Sequence, residues 1–299
     1  MTLYTHAESN IRKTFFFLFL FVVFIILIGY LFSYILDNRG ILIFAVILSI
    51  VMSFASYFYS DKLILSMTRA RLIEEKDNKE LYHVVENLCI TAGLPMPKIY
   101  VINESQPNAF ATGRNAKHAV IAVTAGLLEK LDKSELEGVI AHELSHIGNK
   151  DMLLAAIVVV LAGIVALLSN WFLRISFLGN RKRDDREGNA GALLLVLGLV
   201  SAIIAPIAAT MIQLAISRKR EFLADADGAL LTRYPEGLAR ALEKIASDPN
   251  PLRVANNSNA HLFFASPFRG ERGSGFLMKL FMTHPPVKER IRILRGMRV

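Results

Sequence analysis

The sequence predicts a mostly α-helical membrane protein: two transmembrane helical hairpins that carry an α+β domain with a small antiparallel sheet. Three observations predict it. Four charge-free apolar runs, at residues 14–36, 41–59, 152–173 and 190–216, come in two pairs, each joined by a polar loop. A bilayer crossing by an α-helix takes about 20 apolar residues, and each run is close to that length. Between the pairs, residues 98–103 and 118–124 are rich in Val and Ile and alternate at a strand's period. Just before the third run, Ala141-His142-Glu143-Leu144-Ser145-His146 lies on a helical pattern.

Residues 1–13 are polar and end on Arg12 and Lys13. The first run is too long for the apolar part of a signal peptide and has no small-residue cleavage site after it, so it reads as a membrane helix. Asp37-Asn38-Arg39-Gly40 turns the chain into the second run, and residues 1–60 form the first hairpin. Residues 61–151 begin the soluble part. Lys62, Arg69 and Arg71 beside the membrane end mark this side as cytoplasmic. Leu81, Val84, Val85, Leu88 and Cys89 repeat at helical spacing up to Gly93 and Pro95. Residues 108–112, between the two Val- and Ile-rich segments, supply a third strand. Ser134 with Glu137 three residues on is a capping-box pattern, which predicts a helix from about residue 134. Leu136, Val139, Ile140, Leu144 and Ile147 give it a buried stripe, and Gly148-Asn149 stop it.

Residues 152–216 make the second hairpin, with a kink at Pro206. Its loop, 174–189, holds five basic and three acidic residues. That conflicts with the positive-inside tendency if 61–151 is cytoplasmic. A hairpin partly buried against the protein would remove the conflict. Residues 217–299 return to soluble character, with helices at 221–231, 235–247 and 285–298 and a loop at 256–275 rich in Asn, Ser, Gly and Arg.

The chain is 53% hydrophobic with a mean hydropathy of +0.41, above the range of ordinary soluble domains. The net charge of +8 comes from basic residues that flank apolar runs, which points to an anionic bilayer surface as partner rather than nucleic acid. A lone Cys89 excludes an intrachain disulfide and a Cys-rich zinc site. The pattern G-x-x-x-x-G-K-[ST] does not occur, so no P-loop nucleotide partner is expected.

On a helix, positions i and i+4 share a face, so His142 and His146 can aim two imidazole nitrogens at one Zn²⁺. Glu143 can then reach a water at the ion as general base without ligating it. A third protein ligand is needed from outside the motif. His261 and His284 are candidates, but Glu221 stands out by topology. His146 precedes the third apolar run and Glu221 follows the fourth, and a hairpin returns its ends to one membrane face. Asp225, four residues on, shares the face of Glu221 and can accept a hydrogen bond from the far nitrogen of a ligating histidine.

These residues carry a resemblance. HELSH, two flanking membrane hairpins and the later Arg218-Lys219-Arg220-Glu221-Phe222-Leu223-Ala224-Asp225 resemble the HtpX family of membrane zinc proteases, relatives of the CAAX prenyl endoproteases. The likeness runs over nearly the whole chain, including Pro107-Asn108-Ala109-Phe110-Ala111 and Thr283-His284-Pro285-Pro286. It implies a gluzincin-like zinc protease domain, one zinc ion per chain held by His142, His146 and Glu221, and Asp225, His284 and Arg290 near the cleft, either behind the ligands or as oxyanion support. It also implies polypeptide substrates, unfolded or membrane-derived, paired against an edge strand at Asn108, Ala109 and Phe110. The implied role is clearance of damaged membrane proteins without nucleotide, from the inner (plasma) membrane with the site facing the cytoplasm. A CAAX-type processing protease and a non-catalytic membrane binding protein are the alternatives. The second would be expected to lose Glu143 or a ligand, and all are present.

Overall fold

The computed structural model describes residues 3–35, 37–179, 218–256, 259–267 and 285–297. The fourth apolar run, most of the 174–189 loop, half of the 256–275 loop and His284 lie outside the described residues. The first hairpin is α1 (Leu3–Ile35) and α2 (Arg39–Met67). Asn38 caps α2, its side chain accepting from the Gly40 N–H. The helices touch where small residues allow it: a Cβ on Gly29 would lie 2.2 Å from the Cβ of Ala45. Phe15, Phe19, Leu27, Phe44, Ile47, Ile50 and Phe54 point away from the protein, as a lipid-facing surface requires. Helix α2 runs on past the apolar stretch to Met67, so it carries the chain out of the bilayer before the sheet begins.

The sheet has four strands: β1 (Arg71–Leu72), β2 (Lys98–Ile102), β3 (Ala109–Thr112) and β4 (Val120–Thr124), in the order β1-β2-β4-β3. It is mixed, not purely antiparallel, because β2 and β4 run parallel. Successive strands alternate in direction, but β4 takes the centre and sends β3 to the edge. All five residues of β4 (VIAVT) are buried, while β2 is exposed at Lys98 and half-buried at Tyr100 and Val101. The most apolar strand thus gains burial on both faces.

Helix α3 (Lys79–Ala92) and a short α4 (Ala125–Lys130) flank the sheet and lead to α5 (Lys133–Gly148), which bears the motif. Its capping box uses Asp132 and Glu135 rather than Ser134 and Glu137. Leu131 closes α4, so Asp132 is the first residue free to cap the next helix, and Ser134 Oγ donates to the Asp132 carboxylate instead. Helix α6 (Asp151–Gly179) follows at a bend of 85° and packs Leu154, Ile157, Val158 and Leu161 against Phe17, Phe21 and Ile25 of α1. Among the described residues, α1 and α2 are long and apolar enough to cross a membrane, and the bent α5–α6 pair adds up to a third span.

The C-terminal half supplies α7 (Arg218–Thr232), α8 (Pro235–Ser247) and α9 (Val287–Gly296). Helix α7 lies across α5 at a glycine: a Cβ on Gly228 would come within 3.0 Å of the His142 backbone nitrogen. That approach brings Glu221 and Asp225 to the motif. Helix α8 is tied to the start of α5 by Lys244, whose ammonium meets the buried Glu135 carboxylate at 2.6 Å.

Candidate active site

His142, Glu143 and His146 lie on the buried side of α5, and Glu221 reaches them from the first turn of α7. The Nε2 atoms of His142 and His146 are 3.2 Å apart. Two nitrogens bound tetrahedrally at the usual Zn–N length would stand about 3.3 Å apart. The Glu221 carboxylate lies 3.9 Å from His142 Nε2 and 3.6 Å from His146 Nε2. The ligand atoms of all three fall within 4.8 Å of one another. Two imidazoles and one carboxylate, converging on one point from two helices, make a donor set that fits a zinc ion with a position left open.

Each histidine is held from behind by a carboxylate. His142 Nδ1 meets Asp225 Oδ1 at 2.9 Å, and His146 Nδ1 meets Asp151 Oδ2 at 3.0 Å. Such contacts fix the tautomer, leaving the Nε2 lone pairs toward the ion. Asp151 was not singled out from the sequence. Its signal was there, since it is the first acidic residue after the motif helix, but only the 85° bend aims it back at His146.

Burial and neighbouring charges push the two imidazoles in opposite directions. Burial pushes the His142 imidazole down to about 4. Burial also opposes charge on His146, but the Asp151 hydrogen bond and the Glu221, Asp151 and Glu143 carboxylates outweigh it and raise it to about 9. Burial lifts the Glu143 carboxyl to about 7, beside the Ala111 N–H that donates to it. Burial likewise opposes charge on Asp225, yet Arg290 and His142 hold it at about 2.

Of the two roles the resemblance leaves to Arg290, its contacts are those of a residue behind the histidines. Its guanidinium does not face the cleft as oxyanion support. Nε and one terminal nitrogen form a bidentate pair with Asp225 at 2.8 and 2.7 Å, and the other donates to the Phe264 carbonyl at 3.2 Å. A buried carboxylate attracts a guanidinium more strongly than an open cleft does, because the fork geometry satisfies both partners at once. Arg290 therefore steadies Asp225 and, through it, His142. The Phe264 ring completes this wall, edge-on to His142 at 5.0 Å and beneath Arg290 at 4.8 Å.

Strand β3 is at the sheet edge, but the chain itself covers part of it. Phe264 N–H donates to the Ala109 carbonyl, and the Asn108 amide brackets Ala265 by donating to its carbonyl and accepting from its N–H. Phe110 turns into the core against Phe263. Ala111 is the β3 residue that lines the cleft, with His142, Glu143, His146, Glu221 and His261. The cleft holds about 50 Å³ of free volume, room for a few waters.

Residues 75–298 match the family model described as Peptidase family M48. The chain belongs to that family. M48 peptidases are metalloproteases and generally use zinc, which agrees with the donor set above. The M48 chain is similar along its length to proteins named Protease HtpX homolog. That of Caldanaerobacter subterraneus subsp. tengcongensis is 44% identical over 302 residues, covering 100% of this chain and 99% of the relative. That of Tropheryma whipplei (strain Twist) is 46% identical, covering 99% and 98%. Among solved structures, the crystal structure of S. mikatae Ste24p aligns with a TM-score of 0.50 at 21% identity, over 97% of this chain and 66% of that one. This likeness concerns the M48 fold. With α1 and α2, the family makes the protein a membrane protease.

Proposed function

We propose that the protein is a zinc-dependent endopeptidase of gluzincin type, in which His142, His146 and Glu221 hold one zinc ion and Glu143 is the general base. The observation that carries this reading is the convergence of the three ligand atoms, with the Glu143 carboxylate in the same cleft. The ion, when bound, supplies a Lewis acid that activates water and polarises the scissile carbonyl. Glu143 takes a proton from the attacking water on its carboxylate and returns it to the leaving amine. The Ala111 N–H aims that carboxylate, and Asp225 and Asp151 hold the two imidazoles.

In this reading residues 1–60 anchor the chain, 61–151 and 217–299 build the protease unit, and 152–216 form a second membrane hairpin. The protein is then multi-pass in the inner membrane with the cleft at the cytoplasmic face, supported by Lys62, Arg69, Arg71 and Arg218 to Arg220 beside membrane ends. Its substrates are unfolded or damaged membrane polypeptides, cleaved without nucleotide as part of a stress response. A cleft this narrow admits an extended backbone only after the Ala260–Leu262 turn and Phe263 shift, which favours unstructured chains over folded ones.

The test is Glu143→Gln, which removes the base and no ligand. Purified in detergent, it should keep about one zinc per chain and lose at least about a thousandfold in hydrolysis of an unfolded membrane polypeptide. Zinc loss equal to that of His142→Ala would sink the role given to Glu143.

A further inference from the structure

Near the start of its apolar span, the first membrane helix carries a polar residue that reaches the carboxylate behind His146. Asn10 lies within the apolar span Ser9–Tyr34, at the head of the α1 stripe that continues through Thr14, Phe17, Phe21 and Ile25. It is 3% exposed. A buried amide in a membrane helix is costly unless its hydrogen bonds are made, and such residues mark function more often than packing. Its Nδ2 donates to Asp151 Oδ1 at 2.6 Å and to the Asn149 carbonyl at 3.3 Å. Its Oδ1 accepts from Arg220 at 3.4 Å, and Arg220 also donates to Asp151 Oδ1 at 3.0 Å.

The Asp151 carboxylate is therefore divided. One oxygen accepts from His146 Nδ1, and the other is held by Asn10 and Arg220. A carboxylate gripped at its second oxygen cannot rotate away from the imidazole. Asn10 also bridges the break between α5 and α6, since Asn149 caps the end of the motif helix and Asp151 opens the next. The 85° bend at that break is what aims Asp151 at His146.

We infer that Asn10 is a positioning residue for the metal site: through Asp151 it holds His146 in ligating orientation and makes zinc retention depend on the packing of the first membrane helix. The inference rests on the zinc reading of the cleft. Its content is new to that reading, because it assigns part of the site to a residue 132 positions before the motif's first histidine and inside the membrane anchor. Lipid conditions that loosen α1 from α6 would then weaken zinc binding without touching a ligand.

The experiment uses the full chain in detergent or proteoliposomes. Asn10→Leu keeps the side-chain size and suits a membrane helix but removes both donor contacts. It should lower zinc affinity in chelator competition by about 10–100-fold, the usual loss when the partner behind a ligand is disturbed. In the cobalt-substituted protein the d–d bands should shift, because the geometry at the ion changes. At saturating zinc, kcat should fall with KM unchanged, and Asn10→Gln should recover part of the loss. Thr14→Val, one turn along the same face and bonded, among the described residues, to the Asn10 backbone carbonyl, should match wild type. The effect must also pass through Asp151, so adding Asn10→Leu to Asp151→Ala should change zinc affinity no further. Wild-type zinc affinity and cobalt bands in Asn10→Leu would overturn the inference, as would a full additive loss in the double variant. A wild-type protein that binds no zinc would instead overturn the proposed function.

Discussion

The two histidines of one helical turn are held by two arms that come from different parts of the molecule. The arm behind His142 is built from the soluble core: Asp225 of α7, Arg290 of α9 and the Phe264 ring, with the charged side chains 1% exposed. The arm behind His146 is built at the membrane end: Asp151 of α6, Arg220 at the start of α7 and Asn10 of α1, with Asp151 at 10% and His146 at 17%. The same chemical device, a carboxylate on Nδ1, thus sits in two settings. In the core it is also a fold contact, because the buried Asp225–Arg290 pair ties α9 to α7, beside the exposed pairs of Arg295 with Glu236 and Glu243 of α8. At the membrane end it ties the motif helix to α6 and α1 across the 85° bend.

Breaking the core arm should therefore have the largest effect. Arg290→Met leaves the Asp225 carboxylate buried without its counter-charge, a loss of about 3–5 kcal/mol. Melting in detergent should fall by roughly 10 °C or more, and zinc should be lost. A melting point at the wild-type value would mean that the Asp225–Arg290 pair carries no fold stability.

The next test sets the arms against each other. Asp225→Asn and Asp151→Asn should each weaken zinc by about 10–100-fold. Only Asp225→Asn should also lower the melting point of the metal-free protein. Equal destabilisation by both would erase the distinction between a core arm and a membrane arm.

The smallest effect concerns the helix that both arms serve. Asp132→Ala removes the cap of α5 and should cost about 1 kcal/mol, seen as a modest loss of thermal stability with the two zinc arms affected alike. Ser134→Ala should stay within about 0.5 kcal/mol. A larger loss at Ser134 would return the helix start to the position that its sequence pattern first suggested.

How much was legible follows from the range of each interaction. The i, i+4 spacing puts His142 with His146 and Glu221 with Asp225 on single helix faces, and local geometry alone guarantees that. The helix at Pro235–Ser247 begins on proline and ends before Asp248-Pro249, so its bounds could be read directly. The first hairpin could be read because apolar length has no cheap alternative to a membrane. By contrast, the mixed sheet depended on which of three similar strands won the central place, and that is decided by burial against helices far along the chain. Which of its two roles Arg290 takes has no local signal, because its sequence neighbours do not reveal that Asp225, 65 residues earlier, faces it.

By itself, the sequence determined the apolar anchor, the motif helix and the set of donors able to hold a metal, because each rests on residue type and short-range periodicity. Only the tertiary structure decided which carboxylate stands behind which histidine, which face of β3 the chain keeps for itself, and that Asn10 of the anchor touches the site. Those contacts join residues up to 210 positions apart. They exist only once the 85° bend, the Gly228 crossing and the α1–α6 seam have brought their backbones together, and no local pattern encodes such a distance.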